Sequence, residues 1–252
     1  MAFLLMVNCS MLFAQKNERQ YFQLTIYHFN NADQLHTLDD YLQHALLPAL
    51  QRQSIAPVGV FADLGNDTLT DKKLYLLLPL KKLEDISDLA AELQDDKQYL
   101  AAGGAYLDAT NELPAYTRME TILLKAFALS PTVQVPKLNA PMQQRVYELR
   151  SYESATEKKY ANKVHMFNEG DEMGLFKRLN FNAVFYGEVL AGSKMPNLMY
   201  MTSFENMADR DAHWKAFVED PQWKKLAAMP FYQKNMTRMD ISFLQPRPYS
   251  QL

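Results

Sequence analysis

Cysteine is almost missing from this chain of 252 residues, Cys9 being the only one. A single thiol excludes a disulfide framework and any thiolate metal cluster. Glycine is sparse, with 8 residues, and no GxGxxG, P-loop, GxSxG or HExxH pattern occurs. Nucleotide-dependent and standard hydrolase chemistry therefore have no footing. A net charge of −3, with no block of Lys and Arg, excludes the basic face that nucleic acid requires. Acidic runs are equally absent. Beyond the first residues no apolar run is long enough to span a bilayer.

What is present is core material: 48% of residues are apolar and 12% aromatic, ample for one large domain or two ordinary ones. The opening stretch, residues 1–14 (MAFLLMVNCSMLFA), has the length and apolarity of a signal-peptide core followed by the small Ala14. It lacks a basic flank, and Leu12 is large for its place. The expectation is a leader over residues 1–19, cleaved near Ala14, and export to the periplasm or exterior, with a cytoplasmic leader as the alternative. Cys9 as a lipoprotein cysteine fits poorly after Asn8.

An internal repeat organises the rest. Phe22–Tyr27 (FQLTIY) corresponds to Tyr147–Tyr152 (YELRSY), Ala56–Phe61 to Asn182–Gly187, and Leu74–Leu80 to Leu198–Phe204. Leu93–Tyr99 (LQDDKQY) then matches Phe217–Trp223 (FVEDPQW), and Thr117–Glu120 (TRME) matches Thr237–Asp240 (TRMD). Five matches in one order read as a duplication. Each copy alternates apolar and polar residues as a strand does, then shows helical spacing: Leu35, Leu38, Leu42, Ala45 and Ala49 in the first copy, Tyr160, Val164, Phe167 and Leu175 in the second. Pro48 should bend the first of these helices. Two β-rich runs joined by polar turns follow. Asn206, with Asp209 three residues on, then starts a helix carrying Met207, Arg210, Trp214 and Phe217 on one face. A last strand closes each copy.

The order β-α-β-β-α-β is the split-βαβ, ferredoxin-like arrangement. The expected fold is α+β, with two such units, 20–127 and 144–248, joined by a proline-rich linker, 128–143. Each unit covers one sheet face with helices and leaves the other open. The two open faces can bury each other as a barrel-like sandwich within one chain.

The second copy then resembles a known family. Val146–Tyr152, Asn182–Gly192, Asn197–Tyr200, Met207–Arg210 with Trp214, and Asp220–Trp223 are together similar to NIPSNAP proteins, over Val146 to about Leu244. The first copy follows more loosely: Tyr99 stands for Trp223, Thr25 for Arg150, and Arg210 has no clear counterpart. The resemblance implies the dimeric α+β barrel architecture. Many members have no assigned reaction, so it implies little about activity, and the trafficking roles of mitochondrial members do not carry over.

Strand alternation groups the candidate site residues. Glu148, Arg150 and Tyr152 share one face of their strand, expected to look into the space between copies, with Tyr147 and Leu149 beneath the helices. Val184, Tyr186 and Glu188, opposite Ala183 and Phe185, are expected to join that polar face, as are Tyr200 and Thr202, and Arg238 and Asp240. Such an interior would suit a small polar or aromatic ligand, with Arg150 forking onto a carboxylate and a tyrosine donating to a carbonyl. The other reading is structural, since buried Arg and Glu must be paired and Glu148, Arg150, Glu188 and Asp240 can satisfy one another. Gln23 and Thr25 replace Glu148 and Arg150 in the first copy, so any site should be asymmetric and centred on the second copy.

His165, Glu169 and Glu172 lie at helical spacing, a pattern that fits a solvated face better than a metal site. His213 sits at the edge of the packed stripe, and Trp214, Trp223 and Phe217 read as core. His28, His36 and His44 signal nothing specific. No cofactor and no metal are expected, although haem on His165 or His213 is a testable third possibility. The preferred functional expectation is a binding module for a small ligand or partner, acting through the barrel interior of the second unit. The alternative is a cofactor-independent enzyme, monooxygenase- or isomerase-like, on a small aromatic or carbonyl compound. Further association into a homo-oligomer is compatible with either.

Overall fold

A computed structural model describes residues 18–252 of the chain; the expected leader, apart from residues 18 and 19, lies outside the described residues. The first unit runs β1 (Tyr21–Phe29), α1 (Ala32–Asp40), α2 (Leu47–Arg52), β2 (Gly59–Asp63), β3 (Lys72–Leu80), α3 (Asp85–Asp95), α4 (Lys97–Ala102), α5 (Gly104–Leu107) and β4 (Arg118–Ala126). The second runs β5 (Val146–Glu153), α6 (Glu157–Asn168), α7 (Glu172–Arg178), β6 (Ala183–Ala191), β7 (Asn197–Phe204), α8 (Met207–Glu219), α9 (Pro221–Ala228) and β8 (Arg238–Pro246).

The eight strands close into one antiparallel barrel in the order β1-β3-β2-β8-β5-β7-β6-β4. Each unit supplies four consecutive staves, and the seams are β2–β8 and β4–β6. Closure removes the exposed strand edges of both sheets. It also explains why β3 and β7 are buried on nearly every residue: one face meets helices, the other the barrel interior.

Local sequence accounts for the elements. Asn206 accepts the amide of Asp209 at 2.9 Å, and Asp209 Oδ2 accepts the amide of Glu205 at 3.1 Å, so the start of α8 is capped from both directions. Pro48 stands at the start of α2, just after a π-helical stretch, Tyr41–Leu46. The missing proline N–H is accommodated by a widened turn rather than a break. The repeated Thr-Arg-Met-acid segments do the same job twice: Thr117 N donates to His28 O, and Thr237 N donates to Glu153 O, each at 2.8 Å. His28 and Glu153 thus hold equivalent places at the ends of β1 and β5.

Four buried clusters follow, the smallest being Met166, Leu226 and Tyr232. One lies under the first unit's helices and one under the second's. The third fills the barrel with Phe22, Leu24, Phe61, Leu77, Tyr147 and Phe185 among others. Most of the interior is therefore apolar, and here the expected strand faces are corrected. Tyr147 and Leu149 point inward, while Glu148, Arg150 and Tyr152 lie under the second unit's helices. Alternation says which residues share a face, not which face is inside. The interior offers apolar partners to Tyr147 and Leu149, whereas α8 brings hydrogen-bond donors to Glu148. A bulge at the start of β6 places Val184 with Phe185 in the interior cluster, leaving Tyr186 to the helix side.

Candidate functional site

The predicted polar residues divide between two places. Under α8, Glu148 has no exposed surface. Its Oε1 accepts Arg150 Nε at 2.5 Å and Arg210 Nη2 at 3.0 Å, and its Oε2 accepts Arg210 Nε at 2.8 Å and Trp214 Nε1 at 2.7 Å. Arg150 also stacks on Trp214, 3.6 Å from the ring centroid, and donates to Tyr152 Oη at 3.0 Å. The Tyr152 and Tyr200 hydroxyls are 2.8 Å apart. Tyr186 packs against Tyr200 in the same cluster. Burial pushes the Tyr186 and Tyr200 phenols up, so both stay protonated. Burial would raise the Glu148 carboxyl, but hydrogen bonds and charge from Arg210 and Arg150 outweigh it and hold the group low. Every acceptor of this carboxylate is engaged by protein.

Glu188 pairs with Arg19 and accepts from Tyr160 Oη at 3.3 Å. It does not meet Glu148 or Arg150, nor does Asp240. The β5–β8 register sets Arg238 opposite Glu153 and Asp240 opposite Ser151. Both therefore fall on the barrel's inner face, at its mouth, and not with the other six.

That mouth opens onto a cavity of about 350 Å³ within the barrel, at the ends of β1 and β5. Ile26, Ile122, Leu149, Val189 and Met199 form its apolar wall. The polar lining includes His28, Tyr75, Glu120, Ser151, Asn197 and Ser242, with Lys73, Lys194, Arg238 and Asp240 toward solvent. Asn197 is 2% exposed; its Nδ2 donates to Ser151 Oγ at 2.7 Å, and its Oδ1 has no hydrogen-bond partner in the protein. Burial pushes the Tyr75 phenol up, so it remains a donor, 3.4 Å from Ser242 Oγ. The hydrogen bond from Lys194 holds the Asp240 carboxyl below its ordinary range.

Corresponding positions of the two units line this cavity without being identical: Ile26 and Ser151, Lys73 and Asn197, Glu120 and Asp240. The cavity draws on both units, whereas the sequence pointed to a site centred on the second copy. His28, Tyr75, Glu120 and Asn197 were not singled out from sequence. The signal was available in the repeat: aligning Thr117–Glu120 with Thr237–Asp240 brings the ends of β1 and β5 into correspondence, where His28 and Glu153 differ.

A larger hollow of about 820 Å³ lies outside the barrel between residues 129–137 and α7. No buried unpartnered polar atom lines it. Glu172 pairs with Lys163 at 3.0 Å, and His165 Nδ1 lies 2.8 Å from Tyr232 Oη. Among the described residues no group of three side chains is arranged to hold a metal. No described helix is long and apolar enough to cross a membrane.

Residues 147–251 match the family model described as NIPSNAP. Among solved structures, the chain is similar to a candidate monooxygenase from Lactobacillus acidophilus, with a TM-score of 0.60 at 12% identity over 91% of this chain and 94% of that one. A candidate monooxygenase from Fusobacterium nucleatum gives 0.58 at 6% identity over 91% and 93%. An anthrone oxidase-like protein gives 0.53 at 8% identity over 92% and 93%. At these identities the likeness establishes the fold alone. No curated protein matches the sequence.

Proposed function

Because residues 147–251 are a NIPSNAP domain built into a closed α+β barrel, we propose that this protein binds a small, largely apolar organic molecule in the cavity at the barrel's end. The observation that carries the reading is Asn197 Oδ1, a buried acceptor left unpartnered beside an apolar wall. Leaving a buried polar atom unpaired costs about 1–3 kcal/mol, and a ligand hydroxyl or amine would satisfy it. The cavity's size and mixed lining suit a molecule of one or two rings. Acids and bases balance at the mouth, where Lys194 and Arg238 pair with Asp240 and Arg118 pairs with Glu120. A neutral ligand therefore fits better than a polyanion.

Calorimetric titration with phenols, quinones and small carboxylates tests this. The nearest atoms to a Cβ added at Gly192 are on the Ile122 and Val189 side chains, at 3.4–3.6 Å, so Gly192→Phe can fill the mouth without backbone strain. Binding weakened at least tenfold in Gly192→Phe, with an unchanged melting temperature, is the expected result. Silence across the panel, or equal binding by the variant, would sink the reading.

A second reading is turnover of the same ligand. It is favoured by a titratable side chain, His28, in the cavity wall, and similar folds carry the names monooxygenase and anthrone oxidase-like. Product analysis after incubation with each bound compound in air separates turnover from binding.

A further inference from the structure

The linker after the first unit and the tail after the second do the same structural job. Phe127 N donates to Tyr186 O and Gln134 N to Val184 O; in the tail, Arg247 N donates to Val60 O and Gln251 N to Val58 O. Val58 and Val60 correspond to Val184 and Tyr186 in the repeat. The two anchors are four residues apart in the tail and seven apart in the linker, so the linker bows outward. Between its anchors the tail carries Tyr249, which packs on the first unit's helical cluster and bonds to Asp39. The linker carries Leu129 there, and it is 69% exposed. The space under the bow is the hollow of about 820 Å³ beside α7.

That hollow has a fixed frame and a graded lining. Leu129 N donates to Asn168 Oδ1 at 3.3 Å, and Val133 N to Gln20 Oε1 at 2.8 Å. Leu129 and Val135 on the bow, with Met173 and Phe176 of α7, give it apolar walls. Tyr186, 4% exposed, reaches the same space, and its hydroxyl makes no hydrogen bond among the described residues, although it is not fully covered. Burial pushes this phenol up, so it remains a donor with room for an acceptor. An unpaired carboxylate buried at that end would lose its hydration without a counter-ion, since Lys163 is already committed to Glu172. The acceptor there must be neutral. Toward solvent the lining holds Lys137 and Lys177, both exposed and without an ion pair among the described residues, against one carboxylate, Asp171. One net positive charge suits a monoanion.

We propose that this hollow is a second binding site, for a monocarboxylate with an apolar chain and a neutral oxygen at its far end. The carboxylate meets Lys137 and Lys177, the chain lies between the bow and α7, and the terminal oxygen accepts a hydrogen bond from Tyr186. An ω-hydroxy fatty acid has this pattern. The site is separate from the barrel cavity, because Tyr186 lies on the helix side of β6 while Val184 and Phe185 face the interior.

The test titrates the full chain calorimetrically with 10-hydroxydecanoate and with decanoate, below the concentration at which either forms micelles. One 10-hydroxydecanoate per chain, bound more tightly than decanoate, is the expected result. Tyr186→Phe removes only a hydroxyl without a protein partner. It should weaken 10-hydroxydecanoate at least threefold and leave decanoate unchanged. If that variant does not fold, Val135→Asp serves, because Val135 is 59% exposed; it should weaken both acids at least tenfold. Lys137→Glu with Lys177→Glu should do the same at an unchanged melting temperature. Gly192→Phe, which fills the barrel mouth, should bind both acids as the wild type does. No saturable binding, several equivalent acids per chain, or full affinity in the double lysine variant would overturn the site. An undiminished preference for the hydroxy acid in Tyr186→Phe would overturn the placement of its terminal oxygen. Loss of both acids in Gly192→Phe would put them in the barrel cavity, overturning this site and supporting the other.

Discussion

Glu148 is held by four donors from three side chains, Arg150, Arg210 and Trp214, and its burial makes the charge count. Removing one member of a buried ion network costs about 3–5 kcal/mol, because the partners stay buried and unpaired. Glu148→Gln should therefore lower unfolding free energy by about 3 kcal/mol or more in denaturant titrations at neutral pH. A loss below about 1 kcal/mol would mean that the network contributes no more than a surface pair. The pH dependence has a definite sign. The folded-state pKa of Glu148 lies below its ordinary value of 4.5, so its contribution is fully present above that value. It is lost as pH falls through the lower folded value. The wild type should lose stability faster than Glu148→Gln on acidification below about pH 4.5. Parallel stability–pH curves would refute this. Arg150→Ala should likewise destabilise the fold but leave binding in the barrel cavity unchanged, since Arg150 lies under α8, on the opposite face of β5 from that cavity. A loss of affinity without a loss of stability would return the site to that residue.

At the scale of elements, α8 determines where the second unit's polar residues go. Its sequence brings Arg210 and Trp214 over β5 and Phe217 into the cluster beneath. The Asn206 cap fixes where that helix begins. Asn206→Ala should cost about 1 kcal/mol, measured as a fall in thermal stability, and should weaken the Arg210 and Trp214 contacts indirectly. No change would show that the tertiary contacts alone fix the helix start. The first unit has Thr25 at the place of Arg150, and its helices instead cover a tyrosine cluster, with the Tyr41 and Tyr99 hydroxyls 2.9 Å apart. Tyr99 in place of Trp223 was visible in the sequence. Its hydroxyl contact was not, because that depends on how closely α4 approaches the π-helical stretch.

The whole molecule is a barrel that neither half can close alone. Each unit exposes the inner face of four strands and two edges when separated, and both seams, β2–β8 and β4–β6, join the second strand of one unit to the last strand of the other. Residues 144–252 expressed alone should therefore pair with a second copy, β6 against β8, and run as a dimer in size-exclusion chromatography with light scattering. A stable, well-folded monomer would show that the closed interior is dispensable. Closure also creates the cavity: residues far apart in sequence, such as Ile26 and Leu149 or Glu120 and Asp240, line one space only because β1 and β5 run parallel on opposite sides of one barrel.

The sequence alone determined the α+β class, the order of strands and helical segments in both units, the cap at Asn206 and the grouping of Glu148 with Arg150 and Tyr152. These depend on short-range periodicity and backbone chemistry, which are written in consecutive residues. Tertiary structure alone decided which strand face is interior, that Glu148 is saturated by α8, that Arg238 and Asp240 part company with the other candidates, and that His28 and Asn197 share a cavity. A strand's alternation is indifferent to inversion. Only the competition between helix-borne donors on one side and apolar partners on the other breaks the tie, and those partners come from distant parts of the chain.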